Sequence, residues 1–132
     1  MKKLIVCGLL LAGIVAGTRT ATAHHSFAAE FDSKKQVKLE GVVTKVEWTN
    51  PHVWIYLNVK DASGKVTNWG AEMGPPHLLQ GQGWTRTSMK IGDSIVVQGS
   101  LAKNGSKRLN ARNVTTPDGK KMGAASSEGV QP

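Results

Sequence analysis

Two adjacent histidines, His24 and His25, stand between an apolar run and the first charged segment, in "TATAHHSF" (20–27). A neutral imidazole is a metal ligand. An N-terminal histidine chelates one ion through its amine and its own ring. If cleavage makes His24 the first residue, its amine, with an ordinary pKa of about 7.7–8.0, joins its ring in such a chelate. One further imidazole completes a T-shaped site of three nitrogens, which suits copper(II). His25, His52 and His77 can each supply it, so His24, His25, His52 and His77 are the candidate metal ligands. The pattern with histidine in third place is absent, because the third residue would be Ser26. A second-place His25 can still bind through amine, intervening amide and ring. The competing reading makes the pair the start of a mobile arm.

His52 follows Asn50-Pro51 at a strand start, and His77 falls in the "GPPH" segment, five residues after Glu72. A His52–Glu72–His77 cluster forms if these ends meet. Otherwise His52 fills a turn and His77 a helix N-terminus, each with a local hydrogen bond. The only cysteine, Cys7, lies in the leading apolar run, so a closed structural zinc site lacks its usual thiolates.

A second candidate set is aromatic. Trp48, Trp54 and Tyr56, with Glu72, are the candidate ligand-binding residues, and Trp69 and Trp84 add to the density. In "HVWIYLNVK" (52–60), Val53, Ile55, Leu57 and Val59 alternate with His52, Trp54, Tyr56 and Asn58. Alternation places the two sets on opposite strand faces. The rings then either pack under the arm, helix and 80s loop, or form an open stacking platform. Catalytic templates are absent: there is no G-x-S-x-G, H-E-x-x-H or phosphate-cradling glycine loop. Asp32, Glu47, Glu72 and Asp93 have no spacing that pairs an acid with a base. Glu47, beside Trp48, would be raised in pKa if a pocket enclosed it. The expectation is a binding module, not an enzyme.

Elements must hold these residues in place. Lys2 and Lys3, the apolar stretch 4–16 and the small-x-small end Ala21–Ala23 describe a signal peptide over 1–23, cleaved before His24. The apolar run is shorter than the roughly 20 residues of a spanning helix. Removing it removes Cys7, so disulfides and thiolate chemistry are excluded from a mature chain expected in a bacterial periplasm. The segment also carries Lys2, Lys3 and Arg19 and no acid, so the net charge falls from +8 to +5; the remaining cations, spread from Lys34 to Lys121, read as a solvated basic surface, with attraction to an anionic envelope component as an alternative. Export argues against nucleic acid.

Residues 24–36 read as an arm anchored by Phe27 and Phe31. Strands are expected over 37–48, 52–60, 65–73, 95–101 and 108–116, with one short helix and loop in 74–89. Gly41, Gly70 and Gly99 inside strands suit a strongly coiled sheet. This order is that of a mainly β, five-stranded OB-like Greek-key barrel over 37–121, with the helix between strands 3 and 4. A small open sandwich or another small barrel is the alternative. The last residues, 122–132, have little apolar content and are expected to be disordered.

The segments "AHHSFAAEFD", "WTNPHVWIYL", "GPPHLLQGQGWTRTS" and "GDSIVVQGSLAKNGSKRLNAR" resemble a family of small exported bacterial proteins described only as a domain of unknown function. The likeness covers nearly all of 23–121. It implies export and a small β-barrel-like domain, and assigns no activity. The expected ligand-facing region is the rim formed by the arm, His52 and "EMGPPH". Its occupant is an unidentified small ligand, a copper ion or, for a scaffold protein, an envelope component.

Overall fold

A computed structural model describes residues 27–128. A short helix α1 (Phe27–Glu30) leads into β1 (Phe31–Glu47), followed by β2 (Trp54–Lys60), β3 (Val66–Glu72), helix α2 (Pro76–Gly81), β4 (Ser94–Ala102), β5 (Arg108–Thr115) and β6 (Lys121–Gly123). The chain is mainly β. The strands form one sheet in the order β3-β2-β1-β4-β5-β6, and β3 also pairs in parallel with β5. All other pairings are antiparallel. Pairing thus runs from β1 through β2, β3, β5 and β4 back to β1.

β1 serves two neighbours. Gln36–Val42 pairs with β4, and Val42–Glu47 pairs with β2. The strand can turn from one partner to the other because position 41 has no side chain: a Cβ on Gly41 would collide with the carbonyl of Asn58. Gly99 has the same role between β4 and β5, where a Cβ would meet the backbone of Asn110 and Ala111. Of the three glycines expected to permit coiling, Gly41 and Gly99 are therefore points of close interstrand approach.

The register skips a residue between Val43 and Lys45. An extra residue in one strand changes which side chains face inward. Val43 pairs with Leu57, and Val46 with Ile55, both toward the core. Lys45 and Glu47 consequently share the other face with Tyr56 and Trp54. Trp48 falls on the core side of this shift and packs, partly buried, against the core.

The core is the one expected from alternation. Val53, Ile55, Leu57, Val43, Ile95 and Val97 are buried, and Val37, Leu39 and Val59 pack against them at lower burial. α2 inserts Leu79, and the following loop buries Trp84, whose Nε1 donates to the carbonyl of Gly123 at 2.7 Å.

Two expectations about the chain ends are corrected. Residues 31–36 belong to β1 rather than to a separate arm, with Phe31 buried opposite Ala102. Residues 122–128 are ordered rather than a disordered tail. Met122 pairs with Val114, Met122 and Ala124 are buried, and the Gly74 amide donates to the carbonyl of Ala124 at 2.8 Å. Small residues let this segment lie close against the sheet: a Cβ on Gly74 would strike Ala125. Low apolar content was a poor guide because backbone pairing and two buried side chains hold the segment.

Candidate functional site

The outer face of β2 carries Trp54 and Tyr56. Their rings stack with centroids 6.3 Å apart and planes inclined by 23°. Gly70 on β3 pairs with Tyr56, and both rings lean over the space its absent side chain leaves. Both residues remain half-buried. The guanidinium of Arg108, at the start of β5, lies 4.4 Å from the Trp54 ring centroid. Lys45 Nζ lies 5.4 Å from the Tyr56 centroid. Cations over aromatic faces are attracted by the ring quadrupole, so a positive group caps each ring.

Glu47 ties this cluster together. It accepts a 3.2 Å hydrogen bond from the Tyr56 hydroxyl and forms an ion pair with Lys45. Lys45 holds the Glu47 carboxyl below its ordinary range. The expected raised value is thus overturned: the outward register supplies a cation rather than an apolar pocket. Burial, then the nearby Glu47 charge, pushes the Tyr56 phenol up.

Beside Trp54 in the register lies Glu72, only 5% exposed. Its Oε1 is 3.5 Å from His52 Nδ1 and accepts a 3.2 Å hydrogen bond from Asn110 Nδ2. Burial raises the Glu72 carboxyl above its ordinary value, and the His52 charge opposes this. The Asn110 side chain that holds Glu72 is itself held by the C-terminal segment. Ser126 Oγ donates to Asn110 Oδ1 at 2.5 Å, Asn110 Nδ2 also donates to Ser127 Oγ at 3.2 Å, and Arg112 pairs with Glu128 at 2.5 Å.

Of the residues singled out from sequence, the structure brings together His52 with Glu72, and Trp54 with Tyr56. It separates Trp48, which packs toward the core. His77 is exposed on α2. Among the described residues no group of three histidines, cysteines or acids is placed to hold a metal, so the His52–Glu72–His77 cluster is not formed. His24 and His25 lie outside the described residues. Trp69 faces the core with Lys107 Nζ 5.2 Å from its ring centroid.

Sequence reasoning missed Arg108, Asn110 and Ser126–Glu128. A signal for the first two existed: Arg108, Asn110 and Arg112 alternate with Leu109 and Ala111. Two shallow grooves flank α1. One, of about 310 Å³, runs past Glu30, Phe31, Lys103 and Arg108; the other, of about 520 Å³, past Phe27, Asp32, Lys34 and Glu128.

A mainly β protein with stacked aromatics and a buried acid on its outer sheet face is the class this geometry defines. Residues 12–110 match the family of unknown function DUF6152, and the chain belongs to that family. Comparison with curated proteins finds no match.

Proposed function

We propose that the chain is an exported, OB-like binding module whose outer β2 face takes a ring-bearing ligand with an acidic group, such as an acidic oligosaccharide of the cell envelope. The observation that carries this reading is the half-buried Trp54–Tyr56 stack beneath Arg108 and Lys45. Flat rings offer a sugar or other ring a stacking surface, and the guanidinium offers bidentate hydrogen bonds to a carboxylate or phosphate. The pairing cycle through β1, β2, β3, β5 and β4, with α2 between β3 and β4, supports the Greek-key OB-like description. The leading "KKLIVCGLLLAGIVA" and "ATA" support export.

The test is a fluorescence and calorimetric titration of the protein with polygalacturonate, an acidic polysaccharide, against neutral dextran. The acidic polymer should bind more tightly. Trp54→Ala and Tyr56→Ala should each weaken it about tenfold or more, since truncating a ring that stacks a base costs on the order of 1–3 kcal/mol. Arg108→Gln should remove the preference for acid over neutral polymer. Wild-type affinity in both ring variants would overturn the reading. Export is tested by the intact mass of the secreted chain, expected to begin at His24; retention of 1–23 would overturn it.

A further inference from the structure

We propose that His52 extends the aromatic platform into a subsite that reads a ligand hydroxyl: Glu72 holds the imidazole with its proton on Nδ1, and Nε2 accepts a hydrogen bond from the ring stacked on Trp54. The inference rests on the platform reading above and narrows its ligand from any acidic ring compound to a sugar acid. The first support is placement. The Val53 amide donates to the Gly74 carbonyl at 3.1 Å, and the Met73 amide to the Val53 carbonyl at 2.8 Å. The β2–β3 ladder thus continues past the Trp54–Glu72 pair to the residues just before β2. Val53 is fully buried, so alternation turns His52 to the outer face, beside Trp54. Same-face positions two residues apart lie about 6.5 Å from one another, comparable to the breadth of a sugar ring.

The second support is the tautomer. Glu72 Oε1 faces His52 Nδ1 at 3.5 Å and accepts a 3.2 Å hydrogen bond from Asn110 Nδ2. Asn110 is oriented in turn, because its Oδ1 accepts from Ser126 Oγ at 2.5 Å and its amide nitrogen is then the group directed at Glu72. An oxygen that already accepts from an amide is an acceptor toward the imidazole as well, so the proton between Oε1 and Nδ1 belongs to the nitrogen. In a neutral imidazole the other nitrogen is then an acceptor. The His52 side chain is 29% exposed, against 7% for that of Glu72. The acid is enclosed, and the ring it orients keeps contact with solvent. The third support is the position of Arg108, which reaches Trp54 from the other side. Arg108 stands in the register row of Tyr56 and Gly70, whereas His52 lies beyond the row of Trp54 and Glu72. A cation and an acceptor therefore flank Trp54 along the strand. A uronic acid carries the complementary groups: its carboxylate, on the fifth carbon, lies across the ring from the hydroxyls of the second and third. A flat aromatic acid without hydroxyls has nothing to donate to Nε2.

Nitrogen NMR of the labelled protein at mildly alkaline pH, above the ordinary histidine range, reads the tautomer with no ligand present. His52 should carry its proton on Nδ1. Glu72→Gln, which keeps an acceptor, should preserve this, and Glu72→Ala should release the ring to the Nε2–H form. A wild-type His52 protonated on Nε2 would overturn the proposal, whether or not Glu72→Ala folds. Binding is then measured with oligogalacturonate, with the same oligomer O-methylated on its hydroxyls, and with its methyl ester. Capping the hydroxyls should weaken wild-type binding about three- to tenfold, the worth of one hydrogen bond. That penalty should vanish in His52→Ala and in His52→Phe, which keeps a ring without an acceptor, and should remain in Arg108→Gln. The penalty of esterification should show the reverse. A hydroxyl penalty that is absent from the wild type, or undiminished in both His52 variants, would overturn this inference and leave the platform reading standing. Oligogalacturonate binding unaffected by Trp54→Ala and Tyr56→Ala would sink the platform reading, and this inference with it, even with the proton on Nδ1.

Discussion

Glu72 and His52 face one another across the edge where β3 meets the start of β2, with Oε1 of the acid 3.5 Å from Nδ1 of the imidazole. The acid is a nearly enclosed group in an outward register position. Asn110 is its second partner, and Ser126 and Ser127 close over Asn110 in turn. A group that alternation alone would leave in water is thereby tied to two strands and the C-terminal segment.

Replacing Glu72 should separate charge from hydrogen bonding. Glu72→Gln retains an acceptor for Asn110 and removes a buried charge. Its stability at neutral pH should match or exceed wild type. Glu72→Ala leaves the buried Asn110 amide with less than its full set of partners and should cost about 1–3 kcal/mol. Urea denaturation of both variants reads the difference; a Gln variant less stable than the Ala variant would contradict it.

Tyr56 is the only tyrosine in the chain, so absorbance at alkaline pH reports its ionisation alone. Burial and Glu47 raise the phenol above its ordinary 10.0. The folded state thus favours the neutral phenol. Its contribution to stability is complete below pH 10.0 and lost as pH rises through the raised folded value. The folded protein should titrate later than the urea-unfolded chain, and Glu47→Gln should move it earlier. Coincident folded and unfolded curves would disprove the arrangement.

Leu57 is fully buried between β1 and β3, paired with Val43 and Trp69. Leu57→Ala should destabilise by about 2–5 kcal/mol as a cavity mutant. Asn58→Ala, next along the strand and exposed, should cost well under half of that. A loss below about 0.5 kcal/mol at Leu57 would put the inward face of β2 in error.

Truncation after Lys120 removes β6 and the Gly123 carbonyl that accepts from Trp84. It also uncovers Asn110 and the sheet edge of β5. The shortened chain should melt at a clearly lower temperature, and the fluorescence of buried Trp84 should shift to the red. An unchanged melting curve would restore the reading of this segment as a disordered tail.

How much of this was legible in the sequence differs by residue. The strict alternation of 52–60 determined the inward Val53, Ile55 and Leu57 and the outward Trp54 and Tyr56, because a strand has a period of two and one face must leave water. Glycines and turn residues marked the strand order, and Pro75 and Pro76 marked the helix. Those signals are local, set by backbone sterics and by the alternation of side chains.

Only the tertiary structure decided which residues meet. The skipped register beyond Val43 turned Trp48 inward and aimed Lys45 and Glu47 at Tyr56, and a one-residue insertion leaves no mark in composition. Arg108 reaches Trp54 because β5 closes in parallel against β3, and Gly70 leaves room for the rings. Glu72 is bonded to Asn110, which residues 126 and 127 hold in turn, while Glu128 pairs with Arg112; these polar side chains read as solvent-exposed until Asn110 and Arg112 are placed beside them. Hydrophobic periodicity is a property of each segment by itself. The partners of a buried acid are set by how distant segments pack, a relation between positions 38 residues apart in the case of Glu72 and Asn110.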